Sequence, residues 1–369
     1  MEDRKIQARR ILKTEKIDAL LISSAYNITY LTGFNGFNTN EREGFALLTN
    51  SNLYIFTDPR LFEGVKKTLQ TSAGTWKKPK IIEYNAEKKL IPQIQEIVDY
   101  EKLKIIGFEE NLTYSEYEYF KKLKNVKLKL TEEIIEFIRQ IKNNYELNTL
   151  QAACKLTDKT YSHILKTIRI GQSEKDIAWE VEKFIRESGG ELAFPTIVAF
   201  SENSATPHHN TSNKKLEKNN IVLLDFGAKV NDYCADMTRT FFMGKASEKF
   251  KKIYETVRIG QEIALKCQII EPTDALTGEL IDMTARNYIL SQEYPSVPHS
   301  IGHGVGIEVH ELPHISPGYK EALSPNTSFT IEPGIYISEF GGVRIEDTAW
   351  FNGKEIIPLT QSSKKLIEL

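Results

Sequence analysis

The sequence predicts an α/β (α+β) protein of two domains, and three observations support this prediction. The chain has 369 residues, which is longer than a typical single domain. Its first part alternates short apolar strands with helical segments, whereas the part beyond residue 190 is rich in strands. Six of the seven histidines lie between His208 and His314, so we expect the chemistry to lie in the second domain.

The first domain is predicted from apolar runs separated by polar turns. The second and third runs flank a Thr-Asn-Ser-Asn turn and are expected to form a hairpin. Over Thr131–Leu165 the pattern changes to apolar residues at helical spacing, interrupted by Asn143-Asn144. We therefore place the boundary near residue 140 and predict domains of 1–140 and 141–369. The apolar runs of the first domain are Ala19–Ile22, Gly44–Leu48, Leu53–Phe56 and Lys104–Phe108.

The second domain contains a well-marked helix after Gln172. Ser173 and Asp176 match a capping box at its start, and Gly189-Gly190 provides a stop. Apolar segments beyond this helix predict strands at Pro195–Phe200, Ile221–Phe226, Thr238–Phe242, Ser328–Tyr336 and Gly342–Glu346.

Composition and charge exclude several classes of function. The formal net charge is -2, so neither nucleic acid nor an anionic membrane is expected as a partner. The N-terminus is charged from Glu2 onward and no apolar stretch is long enough to span a bilayer, so we expect a cytoplasmic protein. The three cysteines form no C-x-x-C pair and are interpreted as small core residues.

Two aspartates of the second domain are candidate metal ligands. Asp225 ends the run Ile-Val-Leu-Leu, where a buried carboxylate is costly unless it is paired or bound to a metal ion. Asp236 follows across a turn signal at Asn231-Asp232, and a hairpin there would bring the two carboxylates together. The alternative is that Asp225 caps a turn and Asp236 pairs with Arg239.

Two glutamates complete a set of four acids. Glu332 lies in SFTIEPGIY, and its alternative role is a salt bridge to an arginine such as Arg344. Glu346 lies in GGVRIEDT, where strand alternation directs Arg344 and Glu346 to one face and Asp347 to the other. Four carboxylates brought together in a core would repel one another strongly unless a cation neutralises them.

The segment PHSIGHGVGIEVHE contains further candidates. His303 stands among alternating glycines, where a histidine is rarely a core filler, and the alternative is a solvated loop residue. His310-Glu311-Leu312-Pro313-His314 matches the zinc-binding H-E-x-x-H pattern, but that pattern requires a helix and Pro313 opposes one. His310 remains a catalytic candidate, and His314 is expected at the surface.

Taken in order, the blocks LDFG, ADMTRTFF, PHSIGHGVGIEVHE, IEPG and GGVRIED resemble the metallopeptidases of family M24, whose catalytic domain has the pita-bread fold. The resemblance is closest to the Xaa-Pro peptidases, namely aminopeptidase P and prolidase. In the first domain, YNITYLTGF and TDPR resemble the non-catalytic, creatinase-like domain of that family. The resemblance therefore covers nearly the whole chain.

The resemblance implies a dinuclear metal site surrounded by catalytic side chains. One ion would be chelated by Asp225 and the other by His303 and Glu332, with Asp236 and Glu346 bridging the two. Mn²⁺ is the first expectation, with Co²⁺ or Zn²⁺ as alternatives, because the ligand types do not settle the identity. The catalytic residues implied are His208, His299, His310, Glu332 and Arg344, of which Arg344 would orient the carboxylates.

The resemblance also implies a reaction. A hydroxide held by the two cations would attack the carbonyl carbon before proline, in a peptide with proline at its second position. Xaa-Pro aminopeptidase is the first interpretation, and a prolidase restricted to dipeptides is the alternative. A non-enzymatic pita-bread binding module is a remote alternative, because such modules have lost ligands that this chain keeps. The family is commonly dimeric, so a homodimer is expected.

One loop departs from the family pattern. Relatives often have Ala-Ser-Gly where this chain has Phe200-Ser201-Glu202, and His209 replaces a frequent small residue. Neither change touches a predicted ligand, so only the fine shape of the loop around His208 is affected. From the residues alone, a surface role for either His208 or His209 is as well supported as a functional one.

Overall fold

The computed structural model describes residues 2–71, 78–267 and 275–369. They form two compact units, Met1–Arg139 and Gln140–Leu369. Both units mix helices with strands, which confirms the predicted α/β class. Within the described ranges, no helix combines the length and the apolar character needed to cross a membrane.

The first unit is built on one mixed sheet. Its strands are β1 (Ala19–Ile22), β2 (Gly44–Thr49), β3 (Leu53–Thr57), β4 (Lys80–Glu83), β5 (Ile105–Glu109) and β6 (Lys127–Thr131). They lie in the order β4-β3-β2-β1-β5-β6, with β2 antiparallel to both of its neighbours and the other pairs parallel. The predicted strands and the β2–β3 hairpin are therefore confirmed.

The helices of the first unit connect these strands. They are α1 (Glu2–Thr14), α2 (Ala25–Thr32), α3 (Pro59–Thr71), α4 (Leu90–Glu101), α5 (Tyr114–Phe120) and α6 (Ile134–Arg139). Apolar side chains of α4, among them Ile94 and Val98, share a buried cluster with Leu21, Leu47 and Phe56 of the sheet. This unit thus has a core of its own.

The second unit begins with two long helices and continues mainly in strands. The helices are α7 (Asn144–Thr167), α8 (Glu174–Glu187), α9 (Glu248–Leu265) and α10 (Gly278–Ser291), with a short 3₁₀ turn at Ser201–Ala205. The strands are β7 (Glu191–Leu192), β8 (Ile197–Phe200), β9 (Ile221–Phe226), β10 (Ala228–Val230), β11 (Tyr233–Cys234), β12 (Met237–Phe242), β13 (Gly302–Gly304), β14 (Glu311–Ile315), β15 (Thr327–Ile331), β16 (Gly334–Ile337), β17 (Gly341–Arg344), β18 (Asp347–Phe351) and β19 (Ile356–Pro358).

Two helix-on-sheet layers give the second unit its cores. Ile177 and Val181 of α8 are buried in one cluster with Leu224 of the β8-β9-β12 sheet. Val257 of α9 is buried in another cluster with Phe329 of the β14-β13-β15-β18-β19 sheet. In each of the two layers, apolar side chains buried between helix and sheet fix the positions of the strand ends from which the candidate ligands project.

The hairpin expected between the two aspartates is present. Asn231 and Asp232 have φ of 45° and 70°, the left-handed pair that a tight two-residue hairpin turn needs. The turn joins β10 to β11, and the chain then returns as β12 alongside β9. Thr238 pairs with Asp225 in that ladder, so Asp236 is only two residues from the position opposite Asp225.

Two predicted strands end earlier than expected. Ser328–Tyr336 is interrupted after Ile331, because Pro333 has no N–H to continue a ladder, and the chain resumes as β16. Gly342–Glu346 ends at Arg344. Glu346 lies in the short link between β17 and β18, where its N–H donates to the carbonyl of Thr238 at 3.0 Å. Both glutamates therefore sit at strand ends rather than within strands.

Helix α8 starts with the predicted capping box. The Ser173 hydroxyl accepts from the Asp176 N–H at 3.1 Å, and the Asp176 carboxylate accepts from the Ser173 N–H at 2.7 Å. We predict that Ser173→Ala lowers the free energy of unfolding by about 1 kcal/mol, since one N–H loses its acceptor. Urea denaturation of the full chain measures the change.

The matched control for this prediction is Ser162→Ala. Ser162 is exposed on α7, and its hydroxyl only donates to the carbonyl of Asp158 within the same helix. A loss in Ser162→Ala as large as in Ser173→Ala would contradict the capping argument.

Candidate metal centre

A cavity of about 720 Å³ in the second unit brings the predicted site residues together. They arrive from different elements, since Asp225 lies in β9, His303 in β13 and Arg344 at the end of β17. No local segment could supply this set, so the site depends on the tertiary fold. The predicted residues on the cavity wall are His208, Asp225, Asp236, His299, His303, His310, Glu332, Arg344 and Glu346.

The ion pairs around the acids differ from the alternatives considered for them. Asp225 Oδ2 is 2.6 Å from Arg344 Nη2, so Arg344 pairs with Asp225 and not with Glu332. Arg239 Nη2 is 2.6 Å from a carboxylate oxygen of Asp347, and both side chains are buried. The proposed pairing of Arg239 with Asp236 is therefore wrong, and so is the salt bridge from Arg344 to Glu332.

Three ligand-type side chains are close enough to share one cation. Ligand atoms of Asp236, His303 and Glu346 all lie within 4.8 Å of one another. His303 Nε2 is 3.5 Å from Asp236 Oδ2 and 3.4 Å from Glu332 Oε1. Glu332 therefore borders the same cluster.

The tautomer of His303 follows from its neighbours. Its Nδ1 lies 3.0 Å from the carbonyl oxygen of Gly304, which can only accept, so Nδ1 carries the hydrogen. Burial lowers the pKa of His303 to about 3, with the neighbouring His310 adding to the effect, so the ring is neutral. Its Nε2 lone pair thus faces two carboxylates, an arrangement that is repulsive unless a cation lies between them.

Three carboxylates of the cluster have raised pKa values, because they are desolvated and lie close to other acids. Burial raises the pKa of Glu346 well above its usual value, and Glu332 and Asp225 raise it further. Burial likewise raises the pKa of Asp236, with Glu346 as the strongest neighbouring charge. Burial raises the pKa of Glu332 to about 8, although Arg344 opposes the shift. Divalent cations would relieve all three shifts, because they favour the ionised carboxylate.

Two buried oxygens provide an independent test of fit. Oδ1 of Asp225 and Oδ1 of Asp236 are buried and accept no hydrogen bond from any residue that the structure describes. Unsatisfied buried acceptors are costly, and oxygen-rich sets with one imidazole suit divalent cations. The residues present therefore fit the metal ions that the pattern of acids predicts.

His299 is fully engaged by protein groups. Its Nδ1 donates to the carbonyl of Ser300 at 2.7 Å, so its Nε2 accepts from the hydroxyl of Tyr336 at 2.8 Å. The same hydroxyl accepts from Arg344 Nη1 at 3.0 Å. Burial lowers the pKa of His299 to about 4. The His299 ring is therefore neutral, and its orientation on the cavity wall is fixed by these hydrogen bonds.

Tyr336 was missed in the sequence. Burial raises its pKa to about 12, so it stays a hydroxyl that can donate to His299. An aromatic residue in the apolar run GIYI is ordinarily a core residue. Only the pairing of β16 with β17, which places Tyr336 opposite Gly342 and beside Arg344, shows its polar role.

The remaining histidines are placed differently. His310 has its ring centroid 4.2 Å from that of His303, and burial lowers its pKa. His208 lines the same cavity. His314 lies in strand β14 and is exposed, as expected, and it borders the cavity. The H-E-x-x-H segment is therefore not helical, as the position of Pro313 predicts.

Comparison with protein families matches both parts of the chain. Metallopeptidase family M24 matches residues 148–351, and the Creatinase/Prolidase N-terminal domain matches residues 4–141. An uncharacterised peptidase, YqhT, of Bacillus subtilis is 36% identical over 96% of both chains. A protein of Pyrococcus horikoshii named Xaa-Pro dipeptidase is 33% identical over 95% of both.

Solved structures agree with this assignment. An Xaa-Pro dipeptidase from Bacillus anthracis has a TM-score of 0.89 at 33% identity, covering 100% of this chain and 99% of that one. An X-Pro aminopeptidase from Thermotoga maritima has a TM-score of 0.83 at 29% identity, covering 96% and 98%. The creatinase-like first domain and the pita-bread second domain are therefore established as the fold.

The raised carboxyl pKa values predict how the metal-free protein responds to pH. The folded state keeps a proton on Glu332 up to about pH 8, whereas an unfolded glutamate loses it near pH 4.5. This contribution is fully present below the ordinary pKa and is lost as pH rises through about 8. One such proton changes the free energy of unfolding by about 1.4 kcal/mol per pH unit. Guanidinium titrations of chelated protein between pH 7 and 8 should show this decline, because the buried histidines no longer titrate above their ordinary pKa of 6.5.

Saturating Mn²⁺ should flatten the decline, because bound cations keep the carboxylates ionised at every pH in the window. Glu332→Gln, which cannot titrate, should also reduce the slope in the metal-free protein. Metal-free protein that is equally stable at pH 7 and pH 8 would contradict the proposed carboxylate repulsion.

Proposed function

This chain belongs to metallopeptidase family M24, and from that premise we propose that it is a metal-dependent Xaa-Pro aminopeptidase. The observation that carries the proposal is the convergence of four carboxylates and one neutral histidine on the wall of one cavity. The relatives named Xaa-Pro dipeptidase and X-Pro aminopeptidase support the proline-directed class. A prolidase restricted to dipeptides is the second candidate, because the P. horikoshii relative bears that name.

Two divalent cations, with Mn²⁺ as the first candidate, would be held by Asp225, Asp236, His303, Glu332 and Glu346. When bound, such ions polarise a carbonyl oxygen and lower the pKa of coordinated water to near neutrality. Arg344 orients Asp225 through its 2.6 Å contact. Thr238 orients Glu346, since its hydroxyl donates to Glu346 Oε2 at 2.6 Å.

His310 is proposed to bind the oxygen that becomes negative during hydrolysis. Burial lowers its pKa, so the ring is neutral and retains one N–H to donate. Its ring lies beside that of His303, which places it next to the ligand cluster. A donor aimed at developing negative charge stabilises the transition state more than the bound substrate.

Glu332 is proposed to carry the proton to the leaving nitrogen. Its Oε1 lies 3.4 Å from His303 Nε2 at the edge of the ligand cluster, so a carboxylate able to take up and release a proton borders the site. The nitrogen of an Xaa-Pro bond carries no hydrogen, so a peptidase cannot bind the bond through that group. His208 and the oriented face of His299 are proposed to hold the substrate around the proline.

A homodimer is part of the proposal, because the family resemblance implies it, and a cytoplasmic location is proposed alongside it. Light scattering on the purified chain measures the oligomeric state directly.

The proposed function predicts metal-dependent release of alanine from Ala-Pro-Ala. Asp236→Ala should abolish this cleavage and lower the bound metal, because it removes one of the carboxylates that would hold the metal ions, while circular dichroism stays unchanged. Metal analysis and the tripeptide assay are run on the same samples. Asp99→Ala, which truncates an exposed acid of α4, is the matched control.

The two candidate activities give different outcomes in that assay. Cleavage of Ala-Pro-Ala supports the aminopeptidase, and cleavage of Ala-Pro alone supports the prolidase. Full activity in exhaustively chelated protein would overturn the metal-dependent proposal altogether.

His310→Ala is predicted to lower kcat by about 10²–10³, the range for removing one oxyanion donor, with bound metal unchanged. Steady-state kinetics with metal analysis separate the two effects. His163→Ala is the control, because His163 pairs with Glu180 on the helices and does not line the cavity. A variant with wild-type kcat would remove His310 from the mechanism.

A further inference from the structure

A buried carboxylate outside the cavity accepts hydrogen bonds from several residues of the loop that carries His208. Glu174 is the first residue of α8 and has no exposed surface. Its Oε1 accepts from the backbone N–H of Phe200 and from Asn203 Nδ2, both at 2.8 Å. These two donors lie at the start of the segment 200–212, which we call the His208 loop.

The second oxygen of Glu174 holds the far end of the His208 loop. Oε2 accepts from the N–H and the hydroxyl of Ser212 at 2.8 and 2.6 Å, and from His209 Nε2 at 2.9 Å. A single side chain thereby binds the loop at its start, next to His208, and at its end. Hydrogen bonds to an ionised acceptor are stronger than neutral ones.

Glu174 remains charged at this buried position. Burial opposes its ionisation, but hydrogen bonds from Ser212, Asn203 and His209 outweigh that effect and hold its pKa below the usual value. An apolar residue here could not bind four separate residues of one loop and would leave their donors without this acceptor, so holding the loop is what the carboxylate adds.

The opposite side of the His208 loop is attached to the metal centre. The carbonyl oxygen of Pro207 accepts from Arg344 Nη1 at 3.2 Å, and Arg344 Nη2 lies 2.6 Å from Asp225. The hydroxyl of Ser204 accepts from the N–H of Gly342 at 2.7 Å. Both chain neighbours of His208 are therefore anchored, Pro207 to Arg344 and His209 to Glu174.

We propose that Glu174 is a positioning residue for His208. Glu174 acts on the substrate side of the loop through its hydrogen bond with His209. The inference rests on the proposed peptidase function, in which His208 holds the substrate around the proline. Losing the anchor would leave His208 free to move away from the substrate.

The first test is Glu174→Gln, which keeps the size of the side chain but replaces one acceptor oxygen with an NH₂ group. KM for Ala-Pro-Ala should rise about tenfold or more, because His208 is no longer held where it contacts the substrate. The value of kcat should fall less, and bound metal should be unchanged. Amide exchange across 200–212 should accelerate in both metal-free and metal-loaded protein. Glu180→Gln, in the same helix and also paired with a histidine, should change neither quantity.

The second test changes only the hydrogen bond between His209 and Glu174, so it remains informative if Glu174→Gln folds poorly. His209→Leu should raise KM in the same direction, whereas His209→Gln, which keeps an N–H donor, should restore much of the wild-type KM. A loss of thermal stability with KM and loop exchange both unchanged would overturn the inference.

Failure of this inference is distinguishable from failure of the proposed function. If the wild-type chain cleaves Ala-Pro-Ala but both anchor variants keep its KM, the positioning role is wrong. If the wild-type chain cleaves no Xaa-Pro bond, the proposed function is wrong. Amide exchange then decides whether Glu174 anchors the loop, and unchanged exchange overturns that too.

Discussion

Mutual repulsion among four clustered carboxylates, three of them buried and Glu332 partly buried, is the constraint on which the rest of the second unit depends. Asp225, Asp236, Glu332 and Glu346 each come from a different strand end, so only a rigid frame can hold them together. Two helix-on-sheet cores supply that frame. Apolar burial thus stabilises an arrangement that electrostatics alone would separate, and divalent cations convert the same repulsion into binding energy.

Neighbouring acids with opposite environments show how the fold distinguishes a ligand from a structural charge. Asp347 is adjacent to Glu346, yet it pairs with Arg239 and Lys364, which hold its pKa at about 2 although burial opposes ionisation. Glu346 accepts from Thr238 and has a raised pKa because of burial and the other acids. The charge of Asp347 is balanced by cationic side chains of the protein. The charge of Glu346 would be balanced only by a bound metal ion.

Local chemistry made much of the fold and the candidate site predictable. The capping box at Ser173, the Asn231-Asp232 turn and the non-helical H-E-x-x-H segment at Pro313 all depend on a few adjacent residues. The sequence could not show contacts between distant elements. Tyr336 is typical of a core aromatic and Glu174 of a first-turn acid, and the sequence favoured Glu332 rather than Asp225 as an ion-pair partner of Arg344. In each case the deciding partner lies more than 20 residues away or on another strand.

The charges lining the cavity bear on how many cations the site would hold. His299, His303 and His310 are neutral because burial lowers their pKa values, so they contribute no positive charge. Among the described residues that line the cavity, Arg344 is the one arginine or lysine beside the four carboxylates of the candidate ligand set. With all four ionised, Arg344 and one divalent ion would leave a net charge of -1, and a second divalent ion would make it +1. A net positive site can stabilise the anionic oxygen formed during hydrolysis, which a single cation could not do as well. The neutrality of the histidines is therefore itself an argument for a dinuclear centre.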